Sequence, residues 1–101
     1  MNLDESLEFI RRTIRKYLPE SDYKIFIYGS RASGEAGRWS DIDVGIEGKK
    51  KVPFDILATI SEEIRESDIP YMVDVVDFNR VSEKFRRIAR RNISELWKKR
   101  F

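Results

Sequence analysis

Residues 28–43, Tyr-Gly-Ser-Arg-Ala-Ser-Gly-Glu-Ala-Gly-Arg-Trp-Ser-Asp-Ile-Asp, constrain this chain more than any other stretch. Leading into them, Tyr23 to Tyr28 is an almost unbroken β-rich run, the pattern of an internal strand, and Gly29 ends it. At their far end, Asp41-Ile42-Asp43-Val44-Gly45-Ile46 alternates with period two. That period sets Ile42, Val44 and Ile46 toward a core, and Asp41, Asp43 and Gly45 on the other face of the same sheet. Gly29 lets the backbone approach a phosphate closely, and the Ser30 hydroxyl can donate to a phosphate oxygen. A phosphate-holding turn therefore feeds a pair of metal-capable carboxylates.

The flanking segments supply the rest of an α/β architecture. Leu3, Leu7, Ile10, Ile14 and Leu18 recur at steps of three and four, which predicts an amphipathic helix over 3–18 that Pro19 stops. Gly48 and the lysines 49–51 form an exposed turn. Pro53 suits the first turn of a second helix, whose stripe is Phe54, Ile56, Leu57, Ile60 and Ile64. Tyr71 to Asp77 reads as a third strand. Ser82 is the expected N-cap of a final helix marked by Phe85, Ile88, Ala89, Ile93, Leu96 and Trp97. The expected fold is α/β (α+β) in the order α-β-(α)-β-α-β-α, the bracketed helix being a short one in the loop. It is a small sheet of three or more strands flanked by helices, in one domain over 1–101.

Composition narrows the chemistry. A chain of 101 residues closes one modest core, and 41% hydrophobic content with this periodicity excludes disorder. The start, Met1-Asn2-Leu3-Asp4-Glu5, is acidic where a signal peptide would be basic, and no run approaches the ~18 apolar residues of a membrane span. A cytoplasmic protein with no membrane contact is expected. Cysteine and histidine are both absent, which excludes disulfides, thiol catalysis, histidine general bases and conventional zinc sites. Any metal must be held by carboxylate and phosphate oxygens, which points to Mg²⁺ or Mn²⁺. Missing glutamine beside many Lys, Arg and Glu leans toward a thermophile. The net charge of +2 hides an asymmetry, since Lys84 to Phe101 carries eight Lys/Arg against one Glu. Such a tail is more often a solvated helix face than a polyanion contact, so nucleic acid is not the expected partner.

Aspartate is disfavoured in strands, yet it occurs twice at the head of the second strand and again, as Asp74, inside the third. Residues i and i+2 of a strand project to the same side about 6.5 Å apart, so Asp41 and Asp43 repel unless a cation sits between them. An isolated Asp-x-Asp is more often a bounded strand end, and a lone Gly-Ser after a strand is more often an ordinary turn. Three acids on neighbouring strands beside such a turn are harder to ascribe to stability. They suit two ions about 3.5–4 Å apart, as in phosphoryl and nucleotidyl transfer, with Asp74 able to take the proton of an attacking hydroxyl. Asp77 competes for the third place, but parity puts it on the opposite face from Asp74. It also stands at the strand exit before Phe78-Asn79, so it is read as a turn former. Arg31, and after it Arg38, are the candidates for neutralising phosphate charge. No Gly-Lys-Ser/Thr and no Gly-x-Gly-x-x-Gly occurs, which excludes a Walker loop and a dinucleotide fingerprint.

Gly29-Ser30, ten intervening residues and then Asp41-Ile42-Asp43 together resemble the signature of the DNA polymerase β-like nucleotidyltransferase superfamily. The form Gly-Ser-Arg-Ala-Ser-Gly…Trp-Ser-Asp-Ile-Asp-Val is similar to its minimal nucleotidyltransferase (MNT) branch, and Val73-Asp74-Val75-Val76 to that branch's third-acid strand. The resemblance covers essentially the whole chain. It implies a mixed sheet flanked by helices, with two metal ions (Mg²⁺, or Mn²⁺) on Asp41, Asp43 and Asp74. ATP would be gripped at Gly29, Ser30 and Arg31, and a nucleotidyl group passed to a hydroxyl with release of pyrophosphate. It further implies a small helical HEPN-type partner in a toxin–antitoxin pair, the MNT protein acting as antitoxin by adenylylating a tyrosine of the toxin. Every signature position is intact, so a catalytic protein adenylyltransferase is expected. The chain leaves no room for a substrate-binding domain, so the acceptor must come from another chain, in a homo- or hetero-oligomer. Two other readings stand beside this one. The first is a binding-only antitoxin that covers its partner through the final helix, Trp97 and Phe101. The second is a nucleic-acid binder using 84–101.

Overall fold

The computed structural model describes residues 1–34, 37 and 41–94. Helix α1 (Leu3–Tyr17) opens on Asn2, whose side chain accepts from the Glu5 N–H at 2.8 Å while the Glu5 carboxylate accepts from the Asn2 N–H at 2.9 Å. This reciprocal cap satisfies donors that the helix cannot satisfy itself. There follow β1 (Tyr23–Tyr28), the single turn α2 (Ser30–Ser33), β2 (Ile42–Gly48), α3 (Phe54–Arg65), β3 (Val73–Asp77), α4 (Glu83–Ala89) and β4 (Ile93–Ser94). The strands lie in the order β3-β2-β1-β4. β1 runs antiparallel to β2 and β4, and β2 runs parallel to β3. A parallel pair cannot be closed by a tight turn, which is why α3 crosses between β2 and β3. The result is the mixed sheet flanked by helices that the family resemblance implied.

One face of the sheet is aliphatic. Ile25, Ile27, Ile42, Val44 and Ile46 are buried against Ile10 and Ile14 of α1 and Ile60 and Ile64 of α3. Each such side chain contributes about 1.5–3 kcal/mol. The period-two reading of β2 is therefore correct. The other face is aromatic. Phe78 meets Phe26 and Tyr28 edge to face, with ring centroids 4.8 and 5.1 Å away, and α4 lies over them through Phe85 and Ala89. Gly45 makes the room, since a Cβ there would come within 2.2 Å of the Phe26 ring and 2.8 Å of Phe78.

The structure departs from expectation at three points. The final helix stops at Ala89, and after a 3-10 turn at Arg90–Asn92 the chain enters β4. There Ile93 and Ser94 pair with Tyr28 and Ile27. The open edge of β1 offers unpaired backbone groups, and satisfying them outweighs the helical spacing of Ile88, Ala89 and Ile93. Leu96, Trp97 and Phe101 lie outside the described residues. β3 begins at Val73 rather than Tyr71, although the Met72 carbonyl already accepts from the Ile42 N–H at 2.9 Å. Phe54, expected in the buried stripe of α3, is 70% exposed, and the Arg80 guanidinium sits 3.7 Å from its ring centroid. Among the described residues no helix is long and apolar enough to cross a membrane.

Candidate active site

The site begins where β1 ends. Gly29 has φ 77° and ψ −151°, a conformation that L side chains rarely adopt. A Cβ there would also stand 2.7 Å from Oδ2 of Asp43. The glycine and the acid of the motif are thus in contact, and the absence of a side chain at 29 is required twice. Register explains how they meet. Tyr28 pairs with Asp43 across the antiparallel β1–β2 ladder, and Asp43 pairs with Asp74 across the parallel β2–β3 ladder. Tyr28, Asp43 and Asp74 therefore form one row over three strands whose backbones are spaced about 4.8 Å.

Electrostatics in this row all push one way. The Asp43 carboxyl is held above the ordinary aspartate range by burial first, then by the charges of Asp74 and Asp41. The Tyr28 phenol is pushed up to about 12 by burial and then by Asp43 and Asp74, so it remains protonated at neutral pH. Burial and uncompensated negative charge disfavour the ionised forms, and a cation at the row would relieve both.

Asp41 does not enter β2, which starts at Ile42, and its side chain is exposed. The in-register pair is Asp43–Asp74, and Asp41, one residue before the strand, acts on Asp43 through its charge. Among the described residues no three carboxylates converge on one cation position. Ser30 is the exposed first residue of α2. Arg31 is half-buried, with its guanidinium 4.9 Å from the Tyr71 ring centroid. Arg38 lies outside the described residues. Asp77 is buried on the opposite face from Asp74, as parity required, and accepts from the Asn79 N–H at 2.9 Å. It also accepts from the Val52 N–H at 2.7 Å and pairs with Arg80 at 3.3 Å, a tie across 25 residues that no local pattern revealed. Sequence reasoning passed over Tyr28 as a strand residue. Its place immediately before Gly29 was the available signal, since antiparallel pairing brings that position to the acid.

Comparison with known proteins identifies the fold and the family. The family model described as "Polymerase beta, Nucleotidyltransferase" matches residues 10–99. A Haemophilus influenzae protein named "Probable protein adenylyltransferase MntA" is 33% identical over 87 residues, covering 86% of this chain and 75% of that protein. A solved toxin–antitoxin structure with AMP-PNP superposes with a TM-score of 0.72 at 22% identity, over 89% of this chain and 71% of the other. A tri-AMPylated Shewanella oneidensis HEPN toxin in complex with its MNT antitoxin gives 0.69 at 18% identity, over 93% and 71%. At those identities the two structures establish the fold. With the family match spanning most of the sequence, the chain belongs to the polymerase beta nucleotidyltransferase family.

Proposed function

We propose that this chain is a metal-dependent protein adenylyltransferase that acts as an antitoxin, passing AMP from ATP to a tyrosine hydroxyl of a HEPN-type helical partner in the cytoplasm. The observation that carries the reading is the Tyr28–Asp43–Asp74 row with Gly29 pressed against Asp43. The name of the Haemophilus influenzae relative and the HEPN toxin complexed with the Shewanella oneidensis neighbour support the same choice of reaction and partner.

The donor set fits a divalent ion. Hard carboxylate oxygens, one carboxyl raised by burial and like charge, and no histidine or cysteine suit Mg²⁺ or Mn²⁺. Asp43 and Asp74, with Asp41 beside them, would hold it, and two ions are the expected complement. Bound there, it would neutralise charge developing on the phosphoryl oxygens. The chain's own groups do the remainder. Gly29 keeps the turn clear of side-chain atoms, the Ser30 hydroxyl donates to a phosphate oxygen, and Arg31 adds positive charge beside them. Asp74 is exposed to an incoming partner and takes the proton of the acceptor hydroxyl. That oxygen bonds to the α-phosphorus, the bond to the bridging oxygen breaks, and pyrophosphate leaves with the electron pair. Tyr28, uncharged, adds no further repulsion beside the acids.

Incubation with labelled ATP, Mg²⁺ and a HEPN-type partner tests this. Label on a partner tyrosine with stoichiometric pyrophosphate is the expected result, abolished by Asp43→Asn with Asp74→Asn. Transfer that survives the double substitution overturns the catalytic reading. Neutralisation of the partner that survives without transfer assigns the antitoxin effect to binding.

A further inference from the structure

A cleft of ≈ 290 Å³ opens beside the phosphate turn, lined by Tyr28, Gly29, Phe85, Ile88, Ala89 and Asn92. It shares Gly29 with the turn and Tyr28 with the acidic row, so a molecule whose phosphates lie at Gly29-Ser30 has this cleft within its own length. One wall is aromatic. The Phe85 ring stands edge-on to Tyr28, with centroids 6.1 Å apart and planes at 81°, and 5.8 Å from Phe78. Phe85 and Ile88 nevertheless stay 40% and 50% exposed, on a short helix whose other residues are largely charged. Two apolar side chains left open on one wall are not explained by the core. At the rim, Asn92 is exposed, and the fold uses its side-chain amide in no hydrogen bond among the described residues.

We propose that this cleft receives the purine ring of the nucleotide and that Asn92 reads it as adenine; the inference rests on the phosphate-turn reading of Gly29-Ser30. Size favours a base over a folded partner element, because the volume lies just below the ~300–1,000 Å³ typical of whole small-molecule sites. The wall supplies a π face and aliphatic carbon, which any base accepts by stacking. Asn92 supplies the discrimination. A carboxamide offers one donor and one acceptor side by side, matching the N7 acceptor and the N6 amino donor of adenine. Guanine presents two acceptors, O6 and N7, along that edge, and the same amide satisfies only one of them.

Calorimetric titration of the full chain with ATP, GTP and inorganic tripolyphosphate, each with Mg²⁺, tests the assignment. The wild type is expected to prefer ATP over GTP by about tenfold. Phe85→Ala weakens ATP by about tenfold and leaves tripolyphosphate within about twofold. Asn92→Ala levels ATP and GTP, and Asn92→Arg, whose fork matches O6 and N7, tips the preference to GTP. Phe85 touches Tyr28 and Phe78, so if its alanine variant fails to fold, the exposed Asn92 variants decide the matter. Unchanged ATP affinity and unchanged ATP-to-GTP ratio in the Asn92 variants, with tripolyphosphate still bound, overturn the base cleft while the turn stands. Loss of partner binding with nucleotide affinity intact gives the cleft to a partner side chain and overturns it equally. Failure of the wild type to bind tripolyphosphate and ATP removes the phosphate turn, and the cleft assignment falls with it.

Discussion

Across β2, Ile42, Val44 and Ile46 enter an aliphatic layer closed by α1 and α3, while Asp43 and Gly45 face aromatic rings and a second acid. The two faces share one backbone and answer to different demands. The helix-covered face removes apolar surface from water, and the acid buried at its edge, Asp77, is satisfied by the Val52 N–H and the Arg80 guanidinium. The opposite face brings two like charges into register, holds a carboxyl above its ordinary range and leaves Phe85 and Ile88 partly in water. Each of these features opposes folding, and their concentration on one side is what an active site requires. The covered face offsets the cost.

If that division is real, substitutions on the two faces should separate activity from stability. Asp43→Asn with Asp74→Asn should lower AMP transfer by about a thousandfold or more. Its circular dichroism and thermal midpoint should show no loss of fold. On the covered face, Ile60→Ala should cost about 2–5 kcal/mol in urea denaturation. Transfer per folded molecule should then stay within about twofold of wild type. A collapse of activity in its folded fraction would mean that the faces are coupled. Gly29→Ala belongs to both regimes, because the strained φ costs on the order of 1–3 kcal/mol. Its Cβ would also displace the Asp43 carboxylate, and a shift of ~1 Å at the reacting groups costs about a hundredfold in transfer.

The smallest effect is the most diagnostic. Because the folded state raises the Asp43 carboxyl, the native protein binds this proton more readily than the unfolded chain does. Stability therefore falls as pH rises from the ordinary aspartate range through the raised one, and the deficit is complete above it. Asp43→Asn should accordingly stabilise the metal-free protein at neutral pH, by no more than about 1 kcal/mol because solvent screens the partly exposed carboxylate. The gain should fade as the pH is lowered to where wild-type Asp43 is protonated. Millimolar Mg²⁺ or Mn²⁺ should raise the thermal midpoint of wild type and not that of the variant. A destabilised Asp43→Asn at pH 7 would show that the acid supports the fold.

Much of this was legible in the sequence for identifiable reasons. The period of β2 placed its aliphatic residues on the core and its acid opposite, because a strand's two-residue repeat is independent of its neighbours. The stripe Ile10, Ile14, Ile60 and Ile64 was readable because each helix carries its own repeat. Gly29, Asp43 and Asp74 stood out as candidates by residue type and spacing, yet their adjacency depends on two ladders whose register no single segment contains. β4 was missed because two residues have no periodicity and are a strand only beside β1. Asp41 was placed on the strand because alternation extends one residue past the point where hydrogen bonding begins.

The five residues of β3, Val73 to Asp77, hold two acids of opposite parity. A slip of one position against β2 would turn Asp77 to the face that Asp43 and Tyr28 share and bury Asp74. Only the observed alignment gives Asp77 the Val52 N–H and the Arg80 guanidinium. In the slipped arrangement, a carboxylate would be buried without those partners, at a cost on the order of several kcal/mol. Asp77 thus works as a checksum on folding: a chain in which its bonds close has, three residues earlier, Asp74 in register with Asp43.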